Sequence, residues 1–526
     1  MTENKMLYPV GIQSFAEVRN GGYVYVDKTR YLWELSHTGK YYFLSRPRRF
    51  GKSLFLSMSD AYFKGRAELF TGLAIWGLEK EWTRYPVFHF DFNPQTYSSL
   101  KDLRDTIQRQ LETFEKEYDV EPYKTGSLSD RFVMLIQNVC DKSHRQAVIL
   151  VDEYDKPLLN SVADKRLQEE IMTELKSFYG VVKSMDARIK FAMFTGVARF
   201  SKVSIFSDLN NLLDISLSDD FNAICGITES ELHQYFADSI KELAQRYGMS
   251  DDEMKLFLKN KYDGYNFSNP RLTECLYNPF SLLSCFRLKT IDNYWFDSGT
   301  PSYLVKALAK DGLDMPSLYD DVVVTANVMK GINTPDHSPI TALYQSGYLT
   351  VKAYNMIENR YTLGFPNDEV TTGFNQLAFQ VYGAKEQGRF DINRFVEDVN
   401  NGNPEGFMHR LHALLASVPH EQAFYAEATY QNIIFLLFTL LKRDVHTEYH
   451  SNVGESDLVV CADRFVYVFE FKFNQTLAKA MSQINAKGYA IPWQTDGRQV
   501  FKIAVNYLPS LRNITWQVHP GDCPRT

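Results

Sequence analysis

The sequence predicts an α/β protein: a parallel sheet with a phosphate-binding loop near the N-terminus, a helical and winged-helix-like middle, and a second α/β domain at the C-terminal end. Three observations predict it. YYFLSRPRRFGKSLF (residues 41–55) reads as a short buried strand, a loop and a helix entry. AVILVDEYDKP (147–157) is an unbroken apolar run that stops at two carboxylates, as a central parallel strand does at its ligand-binding end. GESDLVVCA (454–462) followed by RFVYVFEFKFN (464–474) places acidic and basic side chains on two otherwise apolar strands.

The first 40 residues carry YVYVDKTRYLWEL (23–35), an alternating, strand-like run into Asp27, with Thr29 expected to cap the helix that follows. In the next stretch, Gly51-Lys52-Ser53 opens a helix. Backbone N–H groups at a helix start face an anion, a Lys reaches the terminal phosphates and a Ser hydroxyl ligates Mg²⁺. Where G-x-x-x-x-G-K-[ST] has its first Gly, this chain has Arg46, followed by Pro47, Arg48 and Arg49. Arg46, Arg48 and Arg49 join Gly51, Lys52 and Ser53 as nucleotide-contacting candidates. The crossover helix is expected from Ser53 onward, on the spacing of Leu54, Phe55, Met58, Tyr62 and Phe63. PVFHFDF (86–92) is a second strand, and helices are expected over 100–118 and 128–140.

At the end of the 147–151 strand, Asp152 could hold Mg²⁺ through water and Glu153 could polarise the water that attacks a γ-phosphate. The plainer alternative is that both cap the next helix. A fourth strand, IKFAMFTG (189–196), ends in Thr195, positioned to sense a γ-phosphate, with Arg199 able to neutralise developing charge. Ordinary loop chemistry would also account for both.

From Asp219 the pattern turns helical. Thr228 with Glu231 forms a capping-box signal, and KYDGYNF (261–267) and LYNPFSLLSCF (276–286) lie in a region expected to pack on the sheet as a lid or adaptor. ITALYQSGYLTVKAY (340–354) and NRYTLGFPNDEV (359–370) read as a helix and a two-stranded hairpin, the outline of a winged-helix unit that either binds DNA or packs against a neighbour. The expected division is 1–218, 219–310, 311–400 and 401–526.

The C-terminal region reads as helix (427–444), strand (454–462), strand (464–474) and helix (480–490). Glu470 and Lys472 share one strand face, and hairpin pairing could bring Asp457 beside Glu470. Charges at the end of a buried strand are costly unless they pair or hold an ion. One Mg²⁺ between Asp457 and Glu470, with Lys472 stabilising phosphorane-like charge, makes a workable phosphodiesterase site, which Glu427 and Gln483 could complete. A surface Glu/Lys ladder is the alternative.

Composition bounds these readings. At 526 residues, 44% apolar and 23% charged, the chain has the make-up of an ordinary soluble globular protein of roughly three domains. With a net charge of −7 it offers no global attraction to nucleic acid, so DNA contact must rest on local basic patches. Six scattered cysteines form neither a zinc pattern nor a disulfide framework, and a cytoplasmic protein with reduced thiols is the simpler reading. The N-terminus lacks a signal-peptide profile, and the longest apolar run, IIFLLFTLL (433–441), is about half a membrane span and reads as a buried helix. No membrane association is expected.

SRPRRFGKSLF, VDEYDKP, FTGVARFSK and YVDKT resemble an AAA-ATPase-like family found in many bacterial proteins, similar to archaeal-type and STAND-type P-loop ATPases with an R-R-x-G-K-[ST] loop. The G-x-x-D, E-x-K and Q-x-x-x-K-G-Y-A elements resemble the PD-(D/E)XK nuclease superfamily domain, of restriction-endonuclease-like fold, commonly fused to that ATPase. The resemblance implies ATP and Mg²⁺ as cofactors. It places phosphate contacts at Gly51, Lys52 and Ser53, metal and water activation at Asp152 and Glu153, and a nuclease site at Asp457, Glu470 and Lys472, with Glu427 and Gln483 as further matches. It makes Arg46 the family's normal residue in the loop. The expected function is a Mg²⁺-dependent ATPase coupled to a DNA endonuclease; the alternatives are a nucleotide-dependent switch with an inactive nuclease fold, or an ATPase with a peptide partner. A homo-oligomer or a protein partner fits either.

Overall fold

The computed structural model describes residues 6–162, 164–199, 206, 211–297, 318–319, 322–329, 339–382, 392–416, 427–440, 444–451, 454–493, 497–508, 510 and 513–521. The chain divides into two compact units, one within Met1–Leu304 and Asp321–Thr371, the other within Val305–Asp320 and Thr372–Thr526. The helical middle and the hairpin after it therefore belong to the same unit as the N-terminal sheet.

That sheet holds five parallel strands: β1 (Tyr41–Ser45), β2 (Val87–Asp91), β3 (Ala147–Asp152), β4 (Ile189–Gly196) and the short β5 (Leu213–Asp214), in the order β2-β3-β4-β1-β5. β1 and β3 are buried along their whole length, which explains their lack of alternation. Parallel pairing carries the C-terminal ends of β1, β3 and β4 to one edge, so the loops that follow them converge there. Helices Leu100–Glu117 and Leu128–Ser143 start at the capping boxes Ser99/Asp102 and Ser127/Asp130, and pack with Lys165–Ser184 through Phe114, Phe132 and Phe178 on Phe90.

Two N-terminal expectations are corrected. Residues 23–26 form no strand beyond an isolated bridge between Tyr23 and Leu7. Their alternation is real, but it is satisfied by packing: Val24 and Val26 lie on the helical core of the middle region, and the Tyr25 ring meets Phe15. Nor does Thr29 cap its helix. It is the first residue of Thr29–Thr38, and the Asp27 carboxylate accepts from its N–H (2.9 Å) and its hydroxyl (2.7 Å).

In the middle region β6 (Ile227–Thr228) and β7 (Leu276–Tyr277) pair beside helices Glu229–Tyr247, Asp251–Tyr262 and Pro279–Leu288. The Thr228/Glu231 capping box is present, and Lys28 from the N-terminal segment pairs with Glu231 at 2.6 Å. Helix Pro339–Ser346 then leads into a three-stranded sheet, β8 (Val322–Thr325), β9 (Thr350–Asn355) and β10 (Arg360–Gly364), in the order β8-β10-β9. The hairpin is as read from the sequence, with β8 as its third strand.

The second unit is built on β11 (Asp444–Ser451), β12 (Gly454–Cys461), β13 (Phe465–Phe473), β14 (Gln499–Leu508) and β15 (Asn513–Pro520), paired in sequence order. Only β13 and β14 are parallel, and helix Leu477–Ala486 supplies their crossover. Residues 433–438 are buried within helix Glu427–Leu440, and among the described residues no helix is long and apolar enough to cross a membrane.

Candidate functional sites

The first site forms where the loops after β1, β3 and β4 meet. Arg49 (φ 68°) and Gly51 (φ 96°) both take left-handed backbone and turn residues 46–51 back over the start of helix Lys52–Phe63. A Cβ on Gly51 would meet nothing within 4 Å, so the loop faces open space there. The Lys52 side chain is buried under its own loop, donating to the carbonyls of Arg46 (3.1 Å) and Pro47 (3.2 Å), with its ammonium 3.5 Å from the Glu153 carboxylate. Asp152 ends β3 and accepts from the Thr195 hydroxyl (2.7 Å) and the Glu153 N–H (3.1 Å). Glu153 itself sits at φ 50°, a turn that separates its direction from that of Asp152. Lys52, Asp152, Glu153 and Thr195 are thus brought together, with the half-buried Ser53 in the first helical turn. A helix start, a Lys, a Ser hydroxyl and an Asp are the donor types that suit a nucleotide phosphate with its Mg²⁺.

Two arginines are placed elsewhere. The Arg46 guanidinium is 1% exposed and donates to four carbonyls, those of Ser45 (2.9 Å), Ser216 (2.8 Å), Phe221 (2.9 Å) and Asn222 (3.3 Å), while stacking 4.3 Å from the Phe267 ring centre. Burial pulls its pKa down to about 10, still cationic at neutral pH. The expected contact of this guanidinium with nucleotide gives way to a structural role, because both its terminal nitrogens are committed to carbonyls of the chain. Arg199 is likewise held, donating to the Met329 carbonyl at 2.8 Å and to the Asp214 carboxylate. Its expected charge on the nucleotide is therefore engaged by Asp214. Arg48 and Arg49 are exposed, with Arg49 over the Phe280 ring at 4.7 Å. Phe50 wedges edge-on against Tyr265 (4.8 Å) and Phe267 (5.3 Å), so KYDGYNF braces the phosphate loop from behind.

Sequence reasoning passed over Asp155. It is fully buried, and its carboxylate accepts the N–H groups of Val197 (3.0 Å) and Ala198 (2.5 Å), fixing the loop after β4 beneath Thr195. Burial, and then the Glu153 charge, push its carboxyl well above the usual carboxylate range. Also missed was an apolar cavity of about 90 Å³ beside Gly51, lined by Val26, Leu54, Ile227, Phe236 and Leu283 among others. Its residues come from five separate stretches, around 9, 24–28, 50–55, 224–236 and 279–283, so no local motif marks it.

The second site lies at the end of β13. Leu458 pairs with Phe469, so the antiparallel register carries Asp457 toward Glu470, and the Asp457 carboxylate accepts the N–H of Phe471 at 2.7 Å. Glu470 is fully buried, and the Lys472 ammonium donates to it at 2.6 Å. Asp457, Glu470 and Lys472 are thus gathered on two paired strands. Gln483 lies on the crossover helix and donates to the Tyr489 hydroxyl at 3.3 Å. Glu427 opens helix Glu427–Leu440, and its side chain lies outside the described residues. Among the described residues no three His, Cys, Asp or Glu side chains gather as a metal cluster. Two carboxylates completed by carbonyl or water oxygens would suit Mg²⁺.

Residues 9–206 match the AAA-ATPase-like family, described as "Predicted AAA-ATPase", and residues 425–517 match a PD-(D/E)XK nuclease superfamily model. A protein of Azotobacter chroococcum mcd 1, described as "Uncharacterized protein in vnfD 5'region", is 34% identical over 522 residues, covering 96% of this chain and 97% of that one. Among solved structures, Cdc6p from Pyrobaculum aerophilum is 11% identical with a TM-score of 0.25, over 72% of this chain and 95% of its own. The ORC2 protein of Aeropyrum pernix is 10% identical with a TM-score of 0.23, over 72% and 96%.

Proposed function

Since the chain belongs to the AAA-ATPase-like family and carries a PD-(D/E)XK nuclease superfamily domain at its C-terminal end, we propose that it is a cytoplasmic, Mg²⁺-dependent ATPase whose nucleotide state governs endonucleolytic cleavage of DNA. One observation carries the reading: each unit gathers a lysine and carboxylates at the end of a buried strand, Lys52 with Glu153 beside Asp152, and Lys472 with Glu470 beside Asp457. In the first unit Lys52 leaves the Arg46 and Pro47 carbonyls to bind the terminal phosphates, Glu153 orients the attacking water, and Thr195 reports on the γ-phosphate through Asp152. Ser53 and Asp152 would hold Mg²⁺, which would supply positive charge beside the phosphates. In the second unit Asp457 and Glu470 would hold the ion, and Lys472 stabilises charge on the phosphodiester oxygens.

The test is supercoiled-plasmid cleavage with Mg²⁺, with and without ATP, beside an ATP-hydrolysis assay. Wild type nicks the plasmid; Glu470→Ala does not, and Lys52→Ala loses both ATP turnover and ATP-dependent cleavage. Equal nicking by wild type and Glu470→Ala overturns the nuclease assignment, and unchanged turnover in Lys52→Ala overturns the ATPase assignment.

The net charge of −7, which offers nucleic acid no global attraction, favours a second reading, a nucleotide-dependent switch whose nuclease fold does not cleave. Mg²⁺-dependent thermal stabilisation that Asp457→Asn abolishes decides against it.

A further inference from the structure

KYDGYNF enters neither the nucleotide chemistry nor the nuclease strands beyond the bracing by Tyr265 and Phe267. Its first half does something else. Following helix Asp251–Tyr262, Asp263 and Gly264 line a cavity of about 620 Å³ together with Glu229, Lys259, Glu274 and Asp368. That volume lies within the usual range of small-ligand sites. Gly264 sets the shape: it sits at φ 96°, and a Cβ there would lie 2.0 Å from the Pro366 carbonyl oxygen. Backbone meets backbone at this point, beside the buried Asp263.

Asp263 distinguishes the cavity from an acidic surface. It is 4% exposed, and its Oδ1 has no hydrogen-bond partner among the described residues. Leaving a buried carboxylate oxygen unmatched is costly. Burial raises its carboxyl to about 6 against the opposing Gly264 N–H and Lys259, and Glu229 and Glu274 add repulsion. Lys259 is already engaged, with its ammonium 3.4 Å from Glu229, which also accepts from the Tyr277 hydroxyl at 2.8 Å. The lining therefore sets four carboxylates against one ammonium. No three metal-ligating side chains gather among the described residues, so the spread of acids suits a larger cation than a bare metal ion.

We propose that this cavity binds an organic cation, an ammonium or guanidinium group seated on Asp263 with Glu274 and Asp368 at its mouth. The inference is independent of ATP or DNA chemistry. The same group is presented by a free polyamine or by a basic side chain of a peptide, and the test separates these sources.

Full-length protein is titrated calorimetrically at constant ionic strength with spermidine, with arginine amide and with a short arginine-rich peptide. Binding of the small probes identifies a free amine as ligand; binding of the peptide alone identifies a protein partner. Asp263→Asn should weaken binding roughly 10- to 100-fold, as loss of a charge-assisted bond does. The exposed Glu274→Gln should weaken it by about threefold, and Glu121→Gln, an acid outside the cavity, should not change it. If Asp263→Asn fails to fold, Glu274→Gln against Glu121→Gln decides. Absence of binding by wild type, or equal weakening by Glu274→Gln and Glu121→Gln, overturns the proposal.

Discussion

Arg46 behaves as a pin and not as a ligand. Its planar fork satisfies four carbonyls at once while its face lies on Phe267, a geometry that a lysine ammonium cannot reproduce. Arg46→Lys should therefore destabilise the first unit by about 3 kcal/mol, from stranded carbonyls and lost packing. Denaturant unfolding followed by aromatic fluorescence checks this. Glu369 is a second residue with a consequence for the whole unit. It is fully buried, one oxygen accepting the Trp295 N–H at 2.8 Å, and burial raises its carboxyl from 4.5 to about 7. The folded state thus keeps a proton that the unfolded chain releases, so this group's contribution is fully present below pH 4.5 and is lost as pH rises toward about 7. Glu369→Gln should remove that decline, on the order of 3 kcal/mol, seen by comparing unfolding midpoints of wild type and variant at pH 5 and pH 8.

Among the elements, β12 and β13 show how strand pairing assembles chemistry that neither strand holds alone. Asp457 serves both as acceptor for the Phe471 N–H and as a candidate metal ligand. Asp457→Asn keeps an acceptor oxygen but removes the charge. The variant should retain the wild-type circular dichroism spectrum while Mg²⁺-dependent cleavage falls on the order of 100-fold. Elements whose logic is local were readable in the chain: β1, β3, β4, β12 and β13 announce themselves as apolar runs, and the Thr228/Glu231 capping box by spacing. The segment 23–26 misled because alternation records two covered faces, and here side chains of a helical core and of Phe15 cover them without a neighbouring strand. β5, two residues long, is too brief for any periodicity to register.

Across the whole molecule, the two gatherings of lysine and carboxylate lie in separate compact units. Glu470→Ala should accordingly leave ATP turnover at the wild-type rate while abolishing cleavage, measured on one preparation by phosphate release and plasmid nicking. The candidate residues in Gly51-Lys52-Ser53, Asp152-Glu153 and Glu470-x-Lys472 were legible because their spacing is short. The role of Arg46 was not, since its partners Ser216, Phe221, Asn222 and Phe267 are supplied more than 150 residues later, and Asp155 was hidden for a similar reason by its bonds to Val197 and Ala198.

The stretch that matches the ATPase family ends at residue 206, yet Arg46 collects its last two carbonyls from residues 221 and 222 and its ring from residue 267. During synthesis the phosphate loop must therefore wait, its guanidinium still hydrated, until the ribosome has released a further sixty or so residues. A protease cut just after residue 206 would yield a fragment that holds every recognised nucleotide motif and cannot seal the loop that carries them.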